Sequence, residues 1–213
     1  AAVDLNGDSS TNPGSDLVSV LVHAQVHDGI LDKGQAVSFA GLLLAAGSET
    51  TTNALSGGVR LLIEHPDQWD RLRSDPERYL PVLVEEVLRL EAPVQRLMRS
   101  AAVDVELHGV TIPAGSMVLV GYSAANRDER VIDAPARFDL DRDDAKKHLS
   151  FGFGTHFCLG APLARRELLL GFTALVDRIE EMWFLDDTDL TIAPNYFLRA
   201  LKELRIGFRA RAG

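Results

Sequence analysis

The strongest constraint on the fold of this chain is one ten-residue segment, residues 151–160, which reads FGFGTHFCLG. It holds three glycines and the chain's single cysteine, Cys158, and it directly precedes a strongly amphipathic helical pattern. Glycines let a backbone adopt positive φ angles and come close to a bulky planar group. Backbone N–H groups that point at a sulfur at a helix N-terminus stabilise its thiolate, and a thiolate ligates metal. The segment therefore predicts a shaped loop that presents the sulfur of Cys158 to a ligand.

Two other interpretations of Cys158 stay open at this point. A lone cysteine is most often a small, buried, apolar side chain. A reactive-thiol enzyme would pair its cysteine with a histidine, and the histidine near Cys158 in the sequence is His156, two residues away. Neither interpretation accounts for the glycines and aromatic residues around the cysteine, so we favour a ligand site.

The composition is that of an ordinary globular protein, with 213 residues of which 46% are hydrophobic and 25% charged. A formal net charge of -9 argues against nucleic-acid binding, which needs a basic surface. The longest apolar stretch, residues 37–47, is well short of the roughly 20 residues that span a bilayer, so no membrane partner is expected. One cysteine excludes an internal disulfide framework, and we expect a cytoplasmic location.

Hydrophobic spacing predicts helices over most of the chain, because apolar residues recur at helical intervals between Gly, Pro and Asp breaks. The longest predicted helix begins at Asp32 and runs for about nine turns. Its centre, around Gly47, is rich in poor helix formers and predicts a local distortion. The predicted helices cover residues 15–25, 32–64, 67–75, 81–92 and 161–179.

Between the fourth and fifth helices the pattern changes to an alternation of apolar and polar residues, which is typical of short strands. Residues 103–107, 110–112 and 117–122 are predicted to form a small antiparallel sheet, and a last strand pair is expected around residues 191–208. The predicted fold class is therefore mainly α with small antiparallel β-sheets, an α+β arrangement.

The chain is predicted to form one domain that follows a short tail. Residues 1–14 are rich in Asn, Asp, Ser and Gly and predict a flexible N-terminal segment, whereas residues 15–213 make up the folded part. The chain opens with Ala1 rather than Met, from which we expect a part of a longer protein.

Every fixed position of the pattern Phe-Gly-x-Gly-x-His-x-Cys-x-Gly is filled in residues 151–160, so this segment resembles the heme-binding signature of the cytochrome P450 family. The resemblance implies heme b with its iron ligated by the Cys158 thiolate, a ligand that favours O–O cleavage. It also implies that His156 binds a heme propionate. The other cofactor-binding positions of the signature are Phe151, Gly152, Gly154 and Gly160.

A second segment, residues 45–51 (AAGSETT), resembles the family's Ala/Gly-Gly-x-Asp/Glu-Thr-Thr motif. The resemblance implies that Ala46 and Gly47 contact the cofactor and leave room for a ligand above the iron. It further implies that Glu49 and Thr50 are catalytic and relay protons to dioxygen. On its own, Glu-Thr-Thr is more often a polar patch on a helix.

Two further elements follow in the family's order. Glu86 and Arg89 fit Glu-x-x-Arg, and residues 135–138 (PARF) fit Pro-x-Arg-Phe. The resemblance implies that Glu86, Arg89 and Arg137 form a buried charge cluster behind the heme, with a structural rather than a catalytic role.

Arg99 precedes a predicted strand, at a position where bacterial members of the family place an arginine against the second heme propionate. A planar guanidinium suits a carboxylate, so the resemblance implies that Arg99 binds the cofactor.

Taken as a whole, the resemblance implies the C-terminal, heme-binding portion of a heme-thiolate monooxygenase, with the family's N-terminal half absent. Such an enzyme inserts one oxygen atom from dioxygen into a small lipophilic organic substrate, with electrons from a ferredoxin-type donor. The apolar residues expected to line the substrate side are Leu43, Val94, Phe197 and Leu198. Packing in the protein core accounts for these residues equally well. Lys146, Lys147, Arg165 and Arg166 are candidates for a basic patch that binds an acidic electron donor, although such charges more often belong to an ordinary solvated surface.

The rival hypothesis is a catalytically silent, truncated fragment. Removing half of a single-core fold uncovers apolar surface that is unfavourable in water. Such a fragment would bind heme weakly or not at all, and it would bury the exposed surface by self-association.

Overall fold

A computed structural model describes the fold of residues 16–26 and 30–211, without the side chains of residues 24–26. The chain falls into two compact units that divide between Glu49 and Thr50. The predicted flexible segment, residues 1–14, lies outside the described residues.

The first unit contains helix α1, Leu17–Val26, and the first part of helix α2, Lys33–Glu64. The carboxylate of Asp16 caps α1 by accepting a hydrogen bond from the backbone N–H three residues on (2.9 Å). Asp32 and Gln35 cap α2 reciprocally, since each side-chain oxygen accepts the backbone N–H of the other residue (2.8 and 2.9 Å). These caps explain where both helices begin.

Helix α2 runs without a break through Gly47, where the sequence predicts a distorted centre. It ends at Glu64 because the residue before Pro66 is disfavoured in a helical conformation. Within the described ranges, no helix combines the length and the apolar character that crossing a membrane requires.

The second unit adds four helices to the last turns of α2: α3 (Pro66–Ser74), α4 (Pro76–Leu90), α5 (Tyr122–Ala125) and α6 (Ala161–Arg178). Its core forms where α2, α3, α4 and α6 turn their apolar faces toward each other. The most deeply buried side chains, with at most 1% exposure, include Leu62, Leu72, Leu83, Val87, Leu168 and Phe172.

Helices α2 and α6 approach closely at two glycines. A Cβ built on Gly58 of α2 would lie 2.9 Å from Cε1 of Phe172, and one built on Gly171 of α6 would lie 2.8 Å from Cδ2 of Leu55. Side chains in a close-packed core cannot come that close without displacement. This contact therefore fixes the spacing between the second part of α2 and the helix that follows the cysteine segment.

Within the described residues, three two-stranded antiparallel sheets complete the second unit. Their pairs are β1 (Arg96–Ser100) with β4 (Met117–Gly121), β2 (Val105–Leu107) with β3 (Val110–Ile112), and β5 (Ile179–Phe184) with β6 (Ile206–Ala210). The predicted fold class, mainly α with small antiparallel sheets, is confirmed.

The start of α4 differs from the prediction, which places it at Pro81. The helix begins at Pro76, because Asp75 caps it by accepting a hydrogen bond from the Arg78 backbone N–H (3.2 Å) and proline suits the first turn. Pro81 is accommodated inside the helix on its exposed side.

The sequence pattern predicts neither β1 nor β5. The helix predicted to reach residue 179 ends at Arg178, and the chain continues directly into β5. The strand pair expected around residues 191–208 is replaced by two isolated bridges, Ile192 to Leu201 and Val94 to Leu198, and by β6. The prediction fails here because a strand is stabilised by its partner, which the local pattern does not contain.

Candidate functional site

The cysteine loop, residues 151–160, closes on itself. The Cys158 N–H donates to the carbonyl of Phe151 (2.9 Å). Gly152 and Gly154 have φ angles of 73° and 78°, in the left-handed region that residues with a Cβ rarely adopt. The two glycines therefore give the loop its path, and the hydrogen bond brings Cys158 beside the first residue of the loop.

The loop exposes Cys158 and, apart from Phe151, its large apolar side chains. Cys158 is exposed, and so are Phe153 (87%), Leu159 (79%) and Phe157 (50%). The structure thus contradicts the interpretation of Cys158 as a small buried residue. Large apolar side chains exposed together around a potential metal ligand are unfavourable in water and indicate a surface that binds something.

This surface fits a metalloporphyrin in two respects. Among the described residues, no group of three or more His, Cys, Asp or Glu side chains could hold a metal ion, so a metal bound by Cys158 would need ligands from outside these residues, which a porphyrin would supply. A flat apolar group held by that sulfur would also remove Phe153 and Leu159 from water, which the hydrophobic effect favours.

Phe151 fixes the start of the loop against the protein. Its ring contacts the rings of His148 and Phe157 in tilted arrangements, with centroids 5.9 and 6.2 Å apart. From α6, Arg165 places its guanidinium carbon 4.6 Å from the centroid of the same ring. The start of the loop is therefore held by aromatic and cation–π contacts.

Glu85 of α4 binds both His148 and Arg165. Its buried carboxylate accepts hydrogen bonds from Nε and Nη2 of Arg165 (2.7 and 3.0 Å) and contacts Nε2 of His148 (3.1 Å). Because His148 Nδ1 accepts the Ser150 backbone N–H (3.1 Å), the ring carries its proton on Nε2 and donates it to Glu85. Burial alone would raise the pKa of Glu85, but the hydrogen bonds from His148 and Arg165 outweigh burial and lower it to about 2.

Asn126 ties the residues just before the loop to α4. Its Nδ2 donates to Ser150 Oγ (2.8 Å) and to the Arg89 carbonyl (3.1 Å), and its Oδ1 accepts the Leu149 N–H (2.7 Å). Ser150 Oγ in turn donates to the Leu88 carbonyl (2.6 Å). The chain therefore approaches the cysteine loop along a fixed path.

The structure brings Arg99 to the cysteine loop through Tyr122. Nη2 of Arg99 donates to the Tyr122 hydroxyl oxygen (3.2 Å), and a Cβ built on Gly152 would lie 3.8 Å from that same oxygen. Arg99 and His156 are both exposed, so their donor groups are accessible to an anionic ligand. A guanidinium in this position can bind a carboxylate with two parallel hydrogen bonds.

The candidates on α2 are divided between the two units. Thr50 belongs to the second unit and is half-buried, whereas the other four belong to the first unit. In that unit Leu43 is half-buried, and the exposed residues are Ala46, Gly47 and Glu49.

The neighbouring threonine, Thr51, contacts α6. Its hydroxyl donates to Oε2 of Glu167 (3.0 Å). Consecutive residues of a helix point in directions about 100° apart. Thr51 is therefore directed toward α6, and Thr50 faces different surroundings.

Glu86 and Arg89 form a fully buried ion pair on α4. Nε and Nη2 of Arg89 lie 2.7 and 2.8 Å from the two carboxylate oxygens, and neither side chain is exposed. The remaining donors of Arg89 reach the carbonyls of Asn126 (3.1 Å), Pro135 (2.5 Å) and Arg137 (3.1 Å). A buried ion pair is tolerated when its remaining polar atoms are hydrogen-bonded in this way.

Arg137 joins this cluster through its backbone alone, which corrects the expectation that its guanidinium lies inside. Its side chain is 67% exposed and pairs with Asp139. The inner position is taken by Arg142, which is 5% exposed and has Nε 3.2 Å from Oε1 of Glu86. The physical reason is that the Arg137 carbonyl faces the guanidinium groups of both Arg89 and Arg142, which directs its own side chain outward.

Three of the four expected substrate-lining residues meet in the second unit. Val94 and Leu198 face each other in an antiparallel bridge, and the Gln95 N–H donates to the Phe197 carbonyl (2.7 Å). Val94 and Leu198 are half-buried, and Phe197 is 46% exposed. The fourth, Leu43, belongs to the first unit.

The expected basic patch loses one of its members. Arg165 is engaged by Glu85, so its guanidinium belongs to the support of the cysteine loop. The other three, Lys146, Lys147 and Arg166, have exposed side chains.

Sequence reasoning missed the residues that support the loop from behind. Glu85 and His148 each gave a weak signal: an acid on the apolar helix α4 directly before Glu86, and a histidine shortly before the cysteine segment. Asn126 and Tyr122 gave none, because they lie in or beside α5, far from the loop in sequence.

The family model described as cytochrome P450 matches residues 5–181 of the chain. A Mycobacterium tuberculosis protein (strain CDC 1551 / Oshkosh) named steroid C26-monooxygenase is 40% identical over 198 residues, which are 92% of this chain and 53% of that protein. Among solved structures, the tirandamycin C-bound P450 monooxygenase TamI superposes with a TM-score of 0.87 at 36% identity, over 93% of this chain and 50% of TamI. Bacillus megaterium CYP109E1 in complex with testosterone gives 0.85 at 38% identity, over 92% and 50%.

The chain therefore spans about half the length of these relatives. The matched region holds the cysteine loop, the Glu86–Arg89 pair and the Glu49–Thr50 pair. A family match over most of the chain, similar folds at more than a third identity and a loop that presents a lone sulfur lead to one conclusion: this chain belongs to the cytochrome P450 family.

Proposed function

We propose that this chain is the heme-binding part of a monooxygenase, in which Cys158 donates its thiolate to the iron of heme b. The observation that carries the proposal is the exposure of Cys158 beside the exposed side chains of Phe153 and Leu159. Membership of the cytochrome P450 family supports it. When bound, heme would supply the redox chemistry that activates dioxygen.

The chain's own residues would bind the cofactor by charge as well as by the sulfur. Arg99 and His156 are the donors proposed for the two propionates, and both are exposed. The Arg99 guanidinium is kept near the loop by the Tyr122 hydroxyl. Phe151, Gly152, Gly154 and Gly160 would shape the loop so that Cys158 faces the cofactor.

Glu49 and Thr50 are proposed to hold and move protons as dioxygen is reduced. A carboxylate and a hydroxyl can pass a proton between an acid and an acceptor over a short distance. Ala46 and Gly47, one turn earlier on α2, would leave room for dioxygen because their side chains are small. Thr51 is assigned no part in this relay, since its hydroxyl bonds Glu167.

A small lipophilic organic molecule is the proposed substrate class. Val94, Phe197 and Leu198 form an apolar group with partial exposure, which is the character of a site that binds apolar ligands. The names of the relatives agree with this class, since they mention a steroid, testosterone and tirandamycin C. Leu43 is proposed as a further lining residue.

A ferredoxin-type electron donor is the proposed redox partner. Lys146, Lys147 and Arg166 carry exposed positive charges that could attract an acidic protein. Reduction by an acidic ferredoxin should therefore slow as salt rises from about 0.05 to 0.5 M, because exposed charges are screened over this range. A rate that does not depend on salt would exclude this surface as the docking site.

The decisive experiment is a heme titration of the purified chain, followed by reduction under carbon monoxide. A thiolate-ligated ferrous carbonyl has a red-shifted Soret band, which we expect for the wild-type chain. Cys158→Ser should abolish that band. A wild-type chain that binds heme without the thiolate signature, in the presence of the rest of the protein's length, would refute the assignment.

A second candidate is a silent fragment that self-associates, and one observation favours it. All five residues of β1 are exposed, and the paired strands β1 and β4 together expose Leu97, Met98, Met117, Leu119 and Val120. An isolated two-stranded sheet is marginally stable in water, so this surface needs a cover. Two measurements together separate the candidates. A silent fragment would form oligomers, which light scattering of the chain with and without heme detects, and it would give no thiolate band in the heme titration.

A further inference from the structure

We propose that Glu85 is a positioning residue for Cys158, because its carboxylate holds the chain on both sides of the cysteine loop at once. The inference rests on the proposed function, in which Cys158 is the ligand that must be positioned. Glu85 lies on α4 and is not in the loop. It acts through His148 on the residues before the loop and through Arg165 on the helix after it.

The contact before the loop runs through His148. Its Nε2 donates to Oε2 of Glu85 (3.1 Å), while its Nδ1 accepts the Ser150 N–H (3.1 Å). The ring therefore bridges α4 to the backbone one residue before Phe151. His148 is buried, so a lost partner would not be replaced freely by water.

The contact after the loop runs through Arg165. Its Nε and Nη2 donate to the two oxygens of Glu85 (2.7 and 3.0 Å), and its guanidinium also lies over the Phe151 ring. Arg165 belongs to α6, which begins directly after the loop. One carboxylate thus fixes the distance between the start of the loop and the start of the helix, and Cys158 lies between these two points.

Charge and burial make this arrangement specific to a carboxylate. Glu85 accepts from donors on two sides, so an amide in its place would direct an N–H₂ group at one of them. The Glu85→Gln variant should therefore release either His148 or Arg165 and loosen the loop. It preserves the shape of the side chain, so packing around α4 is retained.

Glu91 offers a matched control. It is a buried carboxylate just after α4 that, like Glu85, has hydrogen-bond donors on two residues, in this case two arginines, with Arg60 Nη2 at 2.7 Å and Arg199 Nε at 2.8 Å. Neither arginine belongs to the cysteine loop or the helix after it. Glu91→Gln should weaken the fold to a similar extent without a selective effect on the loop.

The test is amide hydrogen exchange of the chain without added heme, compared among the wild type, Glu85→Gln and Glu91→Gln. In Glu85→Gln we expect exchange at the Phe157 and Cys158 amides to rise by about tenfold or more, since a charged hydrogen bond is lost, while core amides of α3 change little. Glu91→Gln should leave the loop amides at the wild-type rate relative to the same core amides.

A second readout follows the thiol itself, which is the chain's only cysteine. The rate at which Cys158 reacts with a disulfide reagent at one fixed pH should change in Glu85→Gln and match the wild type in Glu91→Gln. A role in global stability alone would not alter this rate under native conditions. If Glu85→Gln does not fold, His148→Gln, which cuts only the contact before the loop, is measured in the same two ways.

The proposal is wrong if amide exchange accelerates uniformly along the chain in both Glu85→Gln and Glu91→Gln. It is also wrong if Cys158 reacts in the folded Glu85→Gln variant as it does in the wild type. Neither readout depends on heme. A wild-type chain that gives no thiolate band would refute the proposed function, whereas the positioning of the loop by Glu85 would still be measured independently.

Discussion

The Arg142 guanidinium lies 3.2 Å from the carboxylate of Glu86, and both side chains are almost fully buried. Arg142 also donates to the carbonyls of Ala134 and Arg137 (3.0 and 3.1 Å). The segment that contains the Pro-x-Arg-Phe motif is therefore held around this guanidinium as well as around Arg89. Arg142 links α4 to a stretch that has little regular structure of its own.

Arg142→Ala should destabilise the chain far more than Arg137→Ala. Removing a buried guanidinium leaves Glu86 with only one charged partner and takes one hydrogen-bond donor away from each of the Ala134 and Arg137 carbonyls, which costs about 3 kcal/mol in total. Arg137 contributes its carbonyl, which alanine also has, so its replacement should cost within about 0.5 kcal/mol. Urea denaturation of both variants measures the difference, and a larger effect of Arg137→Ala would contradict the inward position of Arg142.

Gly58→Ala should destabilise the chain although alanine is the better helix former. The new methyl group would collide with Phe172 and Val87, and overpacking of a core costs about 1–3 kcal/mol. The control is Gly41→Ala on the same helix, where a Cβ would meet no atom within 4 Å apart from its chain neighbours and the adjacent helix backbone, so that only the gain in helix propensity, about 1 kcal/mol, applies. Thermal unfolding should show a lower midpoint for Gly58→Ala alone, and equal midpoints would show that the two helices do not meet at Gly58.

The stability that Glu85 contributes should disappear in acid. The pKa of its carboxyl falls from an ordinary 4.5 to about 2 in the folded chain, where hydrogen bonds from His148 and Arg165 outweigh burial. A lowered pKa favours the folded state above pH 4.5, and this contribution, about 3 kcal/mol, is lost as the pH falls through 4.5 toward 2. The free energy of unfolding of the wild type, relative to Glu85→Gln, should decrease as the pH falls over that range. A difference that does not depend on pH would mean that Glu85 is not stabilised as a carboxylate.

The sequence predicts the local features of the site well. The glycines that require positive φ, the single cysteine and the helix that follows it are adjacent in the chain, so one segment contains most of what shapes the loop. Helices α1, α2 and α6 are likewise predicted, because their apolar spacing and, for α1 and α2, their caps lie within the helix or directly beside it.

The features that the sequence does not predict depend on distant partners. Glu85 meets His148 and Arg165 only after folding, and β5 becomes a strand because β6 pairs with it. Arg137 and Arg142 are chemically identical and close together in the chain. Which of them turns inward is decided by the carbonyl groups around Arg89, and no local pattern encodes that choice.

Thr50→Ala should separate cofactor binding from proton delivery. Thr50 is proposed to move protons and not to bind heme, so the variant should keep the thiolate-ligated ferrous carbonyl band. It should release a larger share of the consumed dioxygen as hydrogen peroxide, because proton transfer by a positioned group contributes roughly 10²–10⁴-fold to a rate. Thr51→Ala is the matched control: it removes the neighbouring hydroxyl and its bond to Glu167, which should lower stability slightly and leave the peroxide yield unchanged. Peroxide yield per dioxygen consumed decides the matter, and equal yields from both variants would assign the hydroxyl of Thr50 a structural role.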